Sequence, residues 1–230
     1  MAEHLLPGDP PIAVALRRSA RARRLSLRVS RLDGRVTLTL PKGVPEREGL
    51  AFVRAREDWL RGHLAGMAAA VTVGIGGQVP YLGRDLAVTE GAVRRITLTD
   101  SALILPQGAA RPGTRIQAFL RAQARDALAA ASDDYATALG RPYRRLTLRD
   151  TRSRWGSCTA TGDLMYSWRL IMAPLPVLRY VAAHEVAHLA EMNHSPAFWD
   201  VVERLYPDHA ASRRWLRSHG DRLHRVQFAP

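Results

Sequence analysis

A predicted helix near the C-terminal end of the chain carries the pattern that decides the fold. It reads Val177-Leu178-Arg179-Tyr180-Val181-Ala182-Ala183-His184-Glu185-Val186-Ala187-His188-Leu189. Four residues span just over one helical turn, so His184 and His188 project from the same face, with Glu185 one step around the helix. Pro174 and Pro176 suit the first turn of such a helix. The apolar remainder predicts a core helix with one polar stripe that can hold a metal ion.

The HExxH spacing is the arrangement that zinc peptidases use. In it two histidines bind the ion, and the glutamate reaches a water on the metal without being a ligand itself. The alternative interpretation, incidental packing of all three residues, would leave three polar groups on a mostly apolar segment to find unrelated partners. The pattern therefore predicts Zn2+ on His184 and His188, with Glu185 as the catalytic residue.

The third protein ligand has to come from outside this helix, because catalytic zinc typically has three protein ligands and one open position. His194 is the first candidate, since Asn193 tolerates the left-handed conformation that ends helices and would aim the next residue at the metal. Ser195-Pro196 predicts the start of a second helix, which ends at Pro207. Glu203 on that helix is the alternative ligand.

The rest of the chain predicts an α+β fold in three parts. Residues 1–16 carry Pro and Gly without periodicity and predict a flexible N-terminal arm. Residues 17–110 predict a β-rich subdomain with one helix: alternating apolar residues on both sides of Asp33-Gly34 indicate a hairpin, and a helix over 46–64 follows. Residues 111–230 predict a metallohydrolase domain, in which a long helix capped by Thr114 precedes an antiparallel sheet beside the HExxH helix.

The formal net charge of +13 suggests a polyanionic partner. However, Lys42 is the only lysine among 34 basic side chains, which is typical of a GC-rich genome that favours arginine codons. A solvated basic surface and a polyanion-binding face therefore both stay open. The densest basic run is the Arg-rich segment, where nucleic acid or another polyanion would bind: Arg17, Arg18, Arg21, Arg23, Arg24, Arg28, Arg31 and Arg35.

The location predicted for the chain is the cytoplasm. No stretch approaches the roughly 18 to 20 uninterrupted apolar residues that a membrane span needs, and the start of the chain lacks a signal peptide's apolar region. Cys158 is the only cysteine, so the chain has no internal disulfide, which agrees with a reducing compartment. We expect no membrane partner.

The motifs within residues 150–200 resemble the YgjP-like metallopeptidase family, and the likeness extends from about residue 20 over most of the chain. The residues that carry it are Arg154-Trp155-Gly156-Ser157-Cys158, Trp168-Arg169-Leu170, Ala173-Pro174, His184-Glu185-Val186-Ala187-His188-Leu189 and Asn193-His194-Ser195-Pro196-Ala197-Phe198-Trp199. The same stretch is more distantly similar to the SprT and Wss1 type of zinc proteases. The resemblance implies a zincin-like fold, zinc on His184, His188 and His194, and Glu185 as the catalytic residue.

The substrate is left open between a peptide or protein and a nucleotide, because some relatives of the family are associated with nucleotide pyrophosphate hydrolysis. In either reaction zinc lowers the pKa of its bound water from 15.7 to about 7, and Glu185 accepts the proton as the water attacks. For a peptide, an extended 152–158 segment would align the substrate, with Gly156 permitting close approach.

For a UTP-type pyrophosphatase, arginines would neutralise phosphate, and Arg152, Arg154 and Arg169 are the candidates. Trp155 suits either core packing or substrate stacking. A third hypothesis is a nucleic-acid-associated protease, recruited through the Arg-rich segment.

Overall fold

The chain forms two compact units, residues 1–70 and residues 71–230. The structure is a computed structural model that describes residues 3–30, 34–65 and 71–228. Within these ranges no helix combines the length and the apolar character needed to cross a membrane.

The first unit is a four-stranded sheet with two short helices. Its elements are β1 (Glu3–Leu6), β2 (Ile12–Ser19), β3 (Ser26–Val29), β4 (Val36–Pro41), α1 (Glu46–Arg54) and α2 (Glu57–Ala65). The strand order is β1-β2-β4-β3. The predicted hairpin is confirmed, since β3 and β4 pair antiparallel with Leu27 opposite Leu38 and Val29 opposite Val36. Asp33, in its predicted turn, lies outside the described residues.

Two predictions for this unit are wrong. The expected flexible arm over 1–16 instead contains β1 and most of β2, which pair antiparallel with Leu6 opposite Ile12. Both side chains are buried, so the apolar residues around the Pro and Gly turn are sufficient to form strands. The expected single helix over 46–64 is interrupted after Arg54, and the acidic side chains of Glu57 and Asp58 favour the start of a second helix.

The second unit contains the predicted metal-binding motif. Its elements are β5 (Val71–Val73), β6 (Gln78–Tyr81), β7 (Arg84–Gly91), β8 (Thr97–Leu98), β9 (Ala102–Pro106), α3 (Pro112–Leu139), β10 (Arg145–Arg149), β11 (Gly156–Cys158), β12 (Asp163–Ser167), a 3-10 helix (Trp168–Met172), α4 (Leu175–Ala187), α5 (Pro196–Leu205), α6 (His209–Arg225) and β13 (Val226–Phe228).

One continuous core joins the elements of this unit. It contains Leu86 and Leu103 from the sheet of order β6-β7-β9-β8, Leu120 from α3, and Leu178 from α4. The unit therefore starts at residue 71, whereas the sequence suggested a boundary at 111, because the strands over 71–110 share their apolar faces with the later helices. The long helix α3 begins at Pro112 rather than after Thr114, with Arg111 at a φ of 51° before it.

The sheet beside the HExxH helix is mixed, which corrects the predicted antiparallel sheet. Its order is β10-β12-β11. The strands β11 and β12 are antiparallel, with Ser157 opposite Met165, but β10 runs parallel to β12, with Leu146 opposite Leu164. Because β12 inserts between the other two strands, β11 is left at the sheet edge.

Candidate metal centre

His184 lies in the last turn of the helix α4, and His188 directly follows the helix. Pro174 is its N-cap residue, and a proline lies within its first turn. Backbone N–H groups in the first turn have no partner within the helix, so a proline there costs no hydrogen bond. The helix ends at Ala187, with His188 as the C-cap residue. The middle of the helix is buried, and this packing fixes the position of its polar stripe.

A turn after α4 brings His194 back to this stripe. Leu189 N–H donates to Val186 O at 2.9 Å, and Glu191 N–H donates to Ala187 O at 3.1 Å. These hydrogen bonds form tight turns directly after the helix. Asn193 was expected to turn the chain in a left-handed conformation, but it is not among the described non-glycine residues with positive φ. The reversal is made by right-handed turns instead.

The side chains of His184, His188 and His194 form a three-histidine cluster. One nitrogen of each ring lies within 4.8 Å of the others. The Nε2 atoms of His184 and His194 are 3.1 Å apart, close to the roughly 3.3 Å expected between two nitrogens that each lie 2.0 to 2.1 Å from a tetrahedral zinc ion. The arrangement could hold a metal ion.

Hydrogen bonding and burial favour the neutral form of the histidine rings, which is the form that binds a metal ion. The Nδ1 atom of His188 lies 2.9 Å from Glu191 O, so an N–H at this position leaves the Nε2 lone pair toward the cluster. Burial, together with the neighbouring His188 and His194, lowers the pKa of His184 to about 3. Burial also lowers the pKa of His188. Neutral imidazoles carry the lone pairs that a metal needs, so these residues fit a bound cation.

Phe198 forms the apolar floor under the cluster. Its ring is fully buried and stacks on His188 at a centroid distance of 4.4 Å. It makes T-shaped contacts with His184 at 4.9 Å and with His194 at 4.8 Å. The helix α5 that carries it begins as predicted, since Phe198 N–H donates to Ser195 Oγ at 3.4 Å. Sequence reasoning assigned Phe198 no role at the metal site, because no motif signals contact with the histidines.

Glu203, the alternative ligand, contacts His209 rather than the histidine cluster. Its Oε2 atom is 2.6 Å from Nε2 of His209, and Glu203 is not part of the three-histidine cluster.

Glu185 is buried between α4 and the edge strand β11. Only 5% of the residue is exposed. A Cβ atom on Gly156 would lie 2.5 Å from Oε1 of Glu185, so the glycine allows the strand to approach the carboxyl group. Burial raises the pKa of Glu185 to about 8, against the opposing positive charge of Arg154. A carboxyl group with this pKa can take up a proton near neutral pH.

Two of the predicted substrate-binding residues make contacts within the fold. Arg169 binds Asp150 through Nε at 2.6 Å and donates from NH1 to Leu223 O and Val226 O at 2.8 and 2.9 Å. Trp155 packs against α6, with its ring 4.7 Å from that of His224. These contacts favour a structural role for both, while Gly156 lies against Glu185 and the charge of Arg154 acts on the same carboxyl group. Arg152 acts electrostatically on His224.

The helices α5 and α6 place further side chains near the cluster, to which sequence reasoning assigned no role at the site. Trp199 on α5 lies 5.8 Å from His184 and 6.1 Å from His194 between ring centroids. His209 stacks on Trp199 at 5.6 Å, and the guanidinium of Arg213 lies 4.6 Å from the same ring. His209 and His224 are both partly buried by tertiary contacts that no local motif signals.

A cavity of about 450 Å3 opens beside His188. It lies between the turn that connects β11 to β12 and the turn that follows α4. Its lining is mixed, with Leu189 and Met192 as apolar residues and Thr159 and Thr161 as polar ones. The cavity can receive a side chain of a bound molecule next to the cluster.

The Arg-rich segment lies in the first unit. Arg31 lies outside the described residues, and the other arginines of the segment are exposed. Polyanion binding by this segment stays a prediction.

Comparisons with known proteins place this geometry in a family context. The model of the family described as YgjP-like, metallopeptidase domain, matches residues 23–219. Among solved structures, the chain is similar to the crystal structure of the metallopeptidase zymogen of Pyrococcus abyssi abylysin, with 22% sequence identity, coverage of 42% of this chain and 92% of that chain, and a TM-score of 0.34. No curated protein matches the chain. The family match includes all three clustered histidines.

Proposed function

The chain belongs to the YgjP-like metallopeptidase family, and from this premise we propose that it is a zinc-dependent peptidase with a zincin-like site. Its metal ligands are His184, His188 and His194, and Glu185 is the catalytic residue. The observation that carries the proposal is the convergence of three histidine nitrogens within 4.8 Å beside a buried carboxyl group that contacts the sheet edge.

The donor set favours zinc. Three neutral imidazoles and an open position are a common arrangement for catalytic zinc, and imidazole nitrogen suits zinc better than magnesium or calcium, which prefer oxygen. When bound, zinc would act as a Lewis acid that polarises the scissile carbonyl and makes water a stronger acid. His194 rather than Glu203 completes the set, because Glu203 pairs with His209.

Glu185 supplies the proton transfer. Its carboxylate accepts a proton from the attacking water at an Oε atom and passes it to the leaving amine. The fixed position against Gly156 limits the carboxyl group to few orientations. Burial of the group also excludes bulk water that would compete for its hydrogen bonds.

The edge position of β11 favours a peptide substrate. An extended peptide can add to an exposed sheet edge through backbone hydrogen bonds, and β11 brings such an edge next to Glu185. The cavity beside His188 would then receive one substrate side chain. A nucleotide substrate is less supported, because the guanidinium of Arg169 is engaged by Asp150 and two backbone carbonyls.

The proposal is tested by metal analysis with a side-by-side substrate panel. The purified protein is assayed on casein-like unfolded protein and on nucleoside triphosphates, with Glu185→Gln as the matched variant. We expect one zinc ion per chain in both proteins, cleavage of the protein substrate by the wild type, and loss of turnover in Glu185→Gln. Release of phosphate or pyrophosphate with no peptide cleavage would replace the peptidase by a nucleotide pyrophosphatase.

A further inference from the structure

Arg213 on α6 lies beside the three-histidine cluster and takes no part in the mechanism described above. We propose that Arg213 binds a carboxylate of the substrate, so that the site prefers acidic peptides. This inference rests on the proposed peptidase function and names its substrate class.

Trp199 positions Arg213 relative to the cluster. The guanidinium carbon lies 4.6 Å from the Trp199 ring centroid, and that centroid lies 5.8 Å from the centroid of His184. The guanidinium is therefore within about 10 Å of the His184 ring, a span that about three residues of an extended peptide cover. A substrate whose scissile bond lies at the cluster can reach Arg213 with a side chain or with its chain end.

Among the described residues, no acidic side chain pairs with Arg213. The side chain is partly buried, yet no carboxylate among the described residues lies within ion-pair distance of it. The nearby Glu203 is paired with His209. A guanidinium that lies over an indole ring keeps its N–H groups available and loses little side-chain entropy on binding. Such a guanidinium is preorganised to bind a carboxylate.

Further basic residues extend the positive charge around the site. Arg217 lies one helical turn beyond Arg213 on α6. Burial raises the pKa of Tyr180, and the charges of Arg213 and Arg217 oppose that rise, which places both near the Tyr180 side chain. The charge of Arg154 acts on Glu185 in the same sense. An acidic peptide would therefore meet complementary positive charge from several residues around the cluster.

The test compares peptides that differ by one charge. End-blocked octapeptide pools of neutral residues carry a single Glu at each position in turn, and matched pools carry Gln. A third pool is neutral with a free C-terminal carboxylate, to distinguish a side-chain source from a chain-end source. Binding to zinc-loaded Glu185→Gln protein is measured by fluorescence anisotropy, and hydrolysis by the wild type is measured as kcat/KM.

A carboxylate-guanidinium contact predicts about tenfold tighter binding of one carboxylate-bearing pool than of its neutral counterpart. Adding Arg213→Gln should reduce that ratio to about one, without changing zinc content or binding of the neutral pool. The control, Arg214→Gln, removes the same charge from the exposed neighbouring position and should keep the ratio. If Arg213→Gln does not fold, Arg213→Lys, which keeps the charge but not the planar fork, should give an intermediate ratio.

Two results separate this inference from the proposed function. An equal ratio in the proteins with and without Arg213→Gln would overturn the role of Arg213, even if peptides are cleaved. A preference that depends on Arg213 without hydrolysis of any pool would support the carboxylate site and count against the peptidase.

Discussion

A Cβ atom on Gly156 would lie 2.5 Å from Oε1 of Glu185 and 2.8 Å from its Cδ atom. Both distances are shorter than real Cβ contacts, so the strand β11 and the carboxyl group can occupy their positions only because residue 156 has no side chain. The edge of the sheet and the buried acid are therefore parts of one arrangement, and a change in either one displaces the other.

Gly156→Ala should reduce kcat/KM by at least about a hundredfold, because a displacement of about 1 Å at a reacting group costs that much. Zinc content should stay unchanged, since the three atoms nearest to such a Cβ atom all belong to Glu185. Gly74→Ala is the matched control, because a Cβ atom there meets nothing within 4 Å. Full activity of Gly156→Ala on peptide substrates would contradict a positional requirement for Glu185.

His194→Ala should lower zinc affinity far more than Glu203→Ala does. The Nε2 atom of His194 lies 3.1 Å from that of His184, whereas Glu203 is 59% exposed and contacts His209. Loss of one of three ligands leaves an incomplete site, and zinc content after dialysis measures the effect. Loss of zinc from Glu203→Ala with retention in His194→Ala would reverse the ligand assignment.

Arg169→Met should lower the free energy of unfolding by about 2 to 4 kcal/mol, because it leaves the carbonyls of Leu223 and Val226 without their donor. Urea denaturation measures this value. Asp150→Asn should cost about 1 kcal/mol or less, since the Asp150 side chain is 43% exposed and solvent screens its ion pair. Arg149→Met, at an exposed position, is the control and should stay within about 0.5 kcal/mol. A similar cost for all three changes would argue against the anchoring role of Arg169.

The contribution of Asp150 should disappear at acid pH. Burial acts to raise the pKa of Asp150, but the hydrogen bonds and charge of Arg169 outweigh it, so the pKa lies below its usual value. A carboxyl group with a lowered folded-state pKa stabilises the fold above its unfolded-state pKa and loses that contribution as the pH falls through the folded-state value. The difference in unfolding free energy between wild type and Asp150→Asn should therefore shrink below pH 4. A constant difference down to pH 2 would contradict this linkage.

Cys158 should react slowly with iodoacetamide. Burial, and to a smaller extent the charges of Glu185 and Asp163, raise the pKa of this thiol to about 11. Because only the thiolate reacts, alkylation at pH 8 should be about two hundredfold slower than that of an unperturbed cysteine with a pKa near 8.5. Mass spectrometry follows the rate, and the guanidinium-unfolded chain is the control. Equal rates in the folded and unfolded protein would show that the thiol is not protected.

The elements predicted correctly from sequence are those whose signals are local. The paired strands around Leu27 and Leu38 follow from period-two alternation, and the start of α5 follows from the hydroxyl of Ser195. The N-terminal strands were missed because Pro and Gly obscured a short alternation. The position of β10 beside β12 was missed because parallel pairing joins residues that are distant in sequence and carries no turn signal.

The sequence by itself determined the spacing of His184 and His188, since a helical repeat of 3.6 residues places them on one face wherever the helix lies. It also determined Glu185 as their neighbour. Only the tertiary structure decided which strand meets Glu185 and which cation meets Trp199. The close contact at Gly156 and the position of Arg213 depend on how β11 and α6 pack against α4, and packing between elements is a property of the whole core rather than of any local pattern.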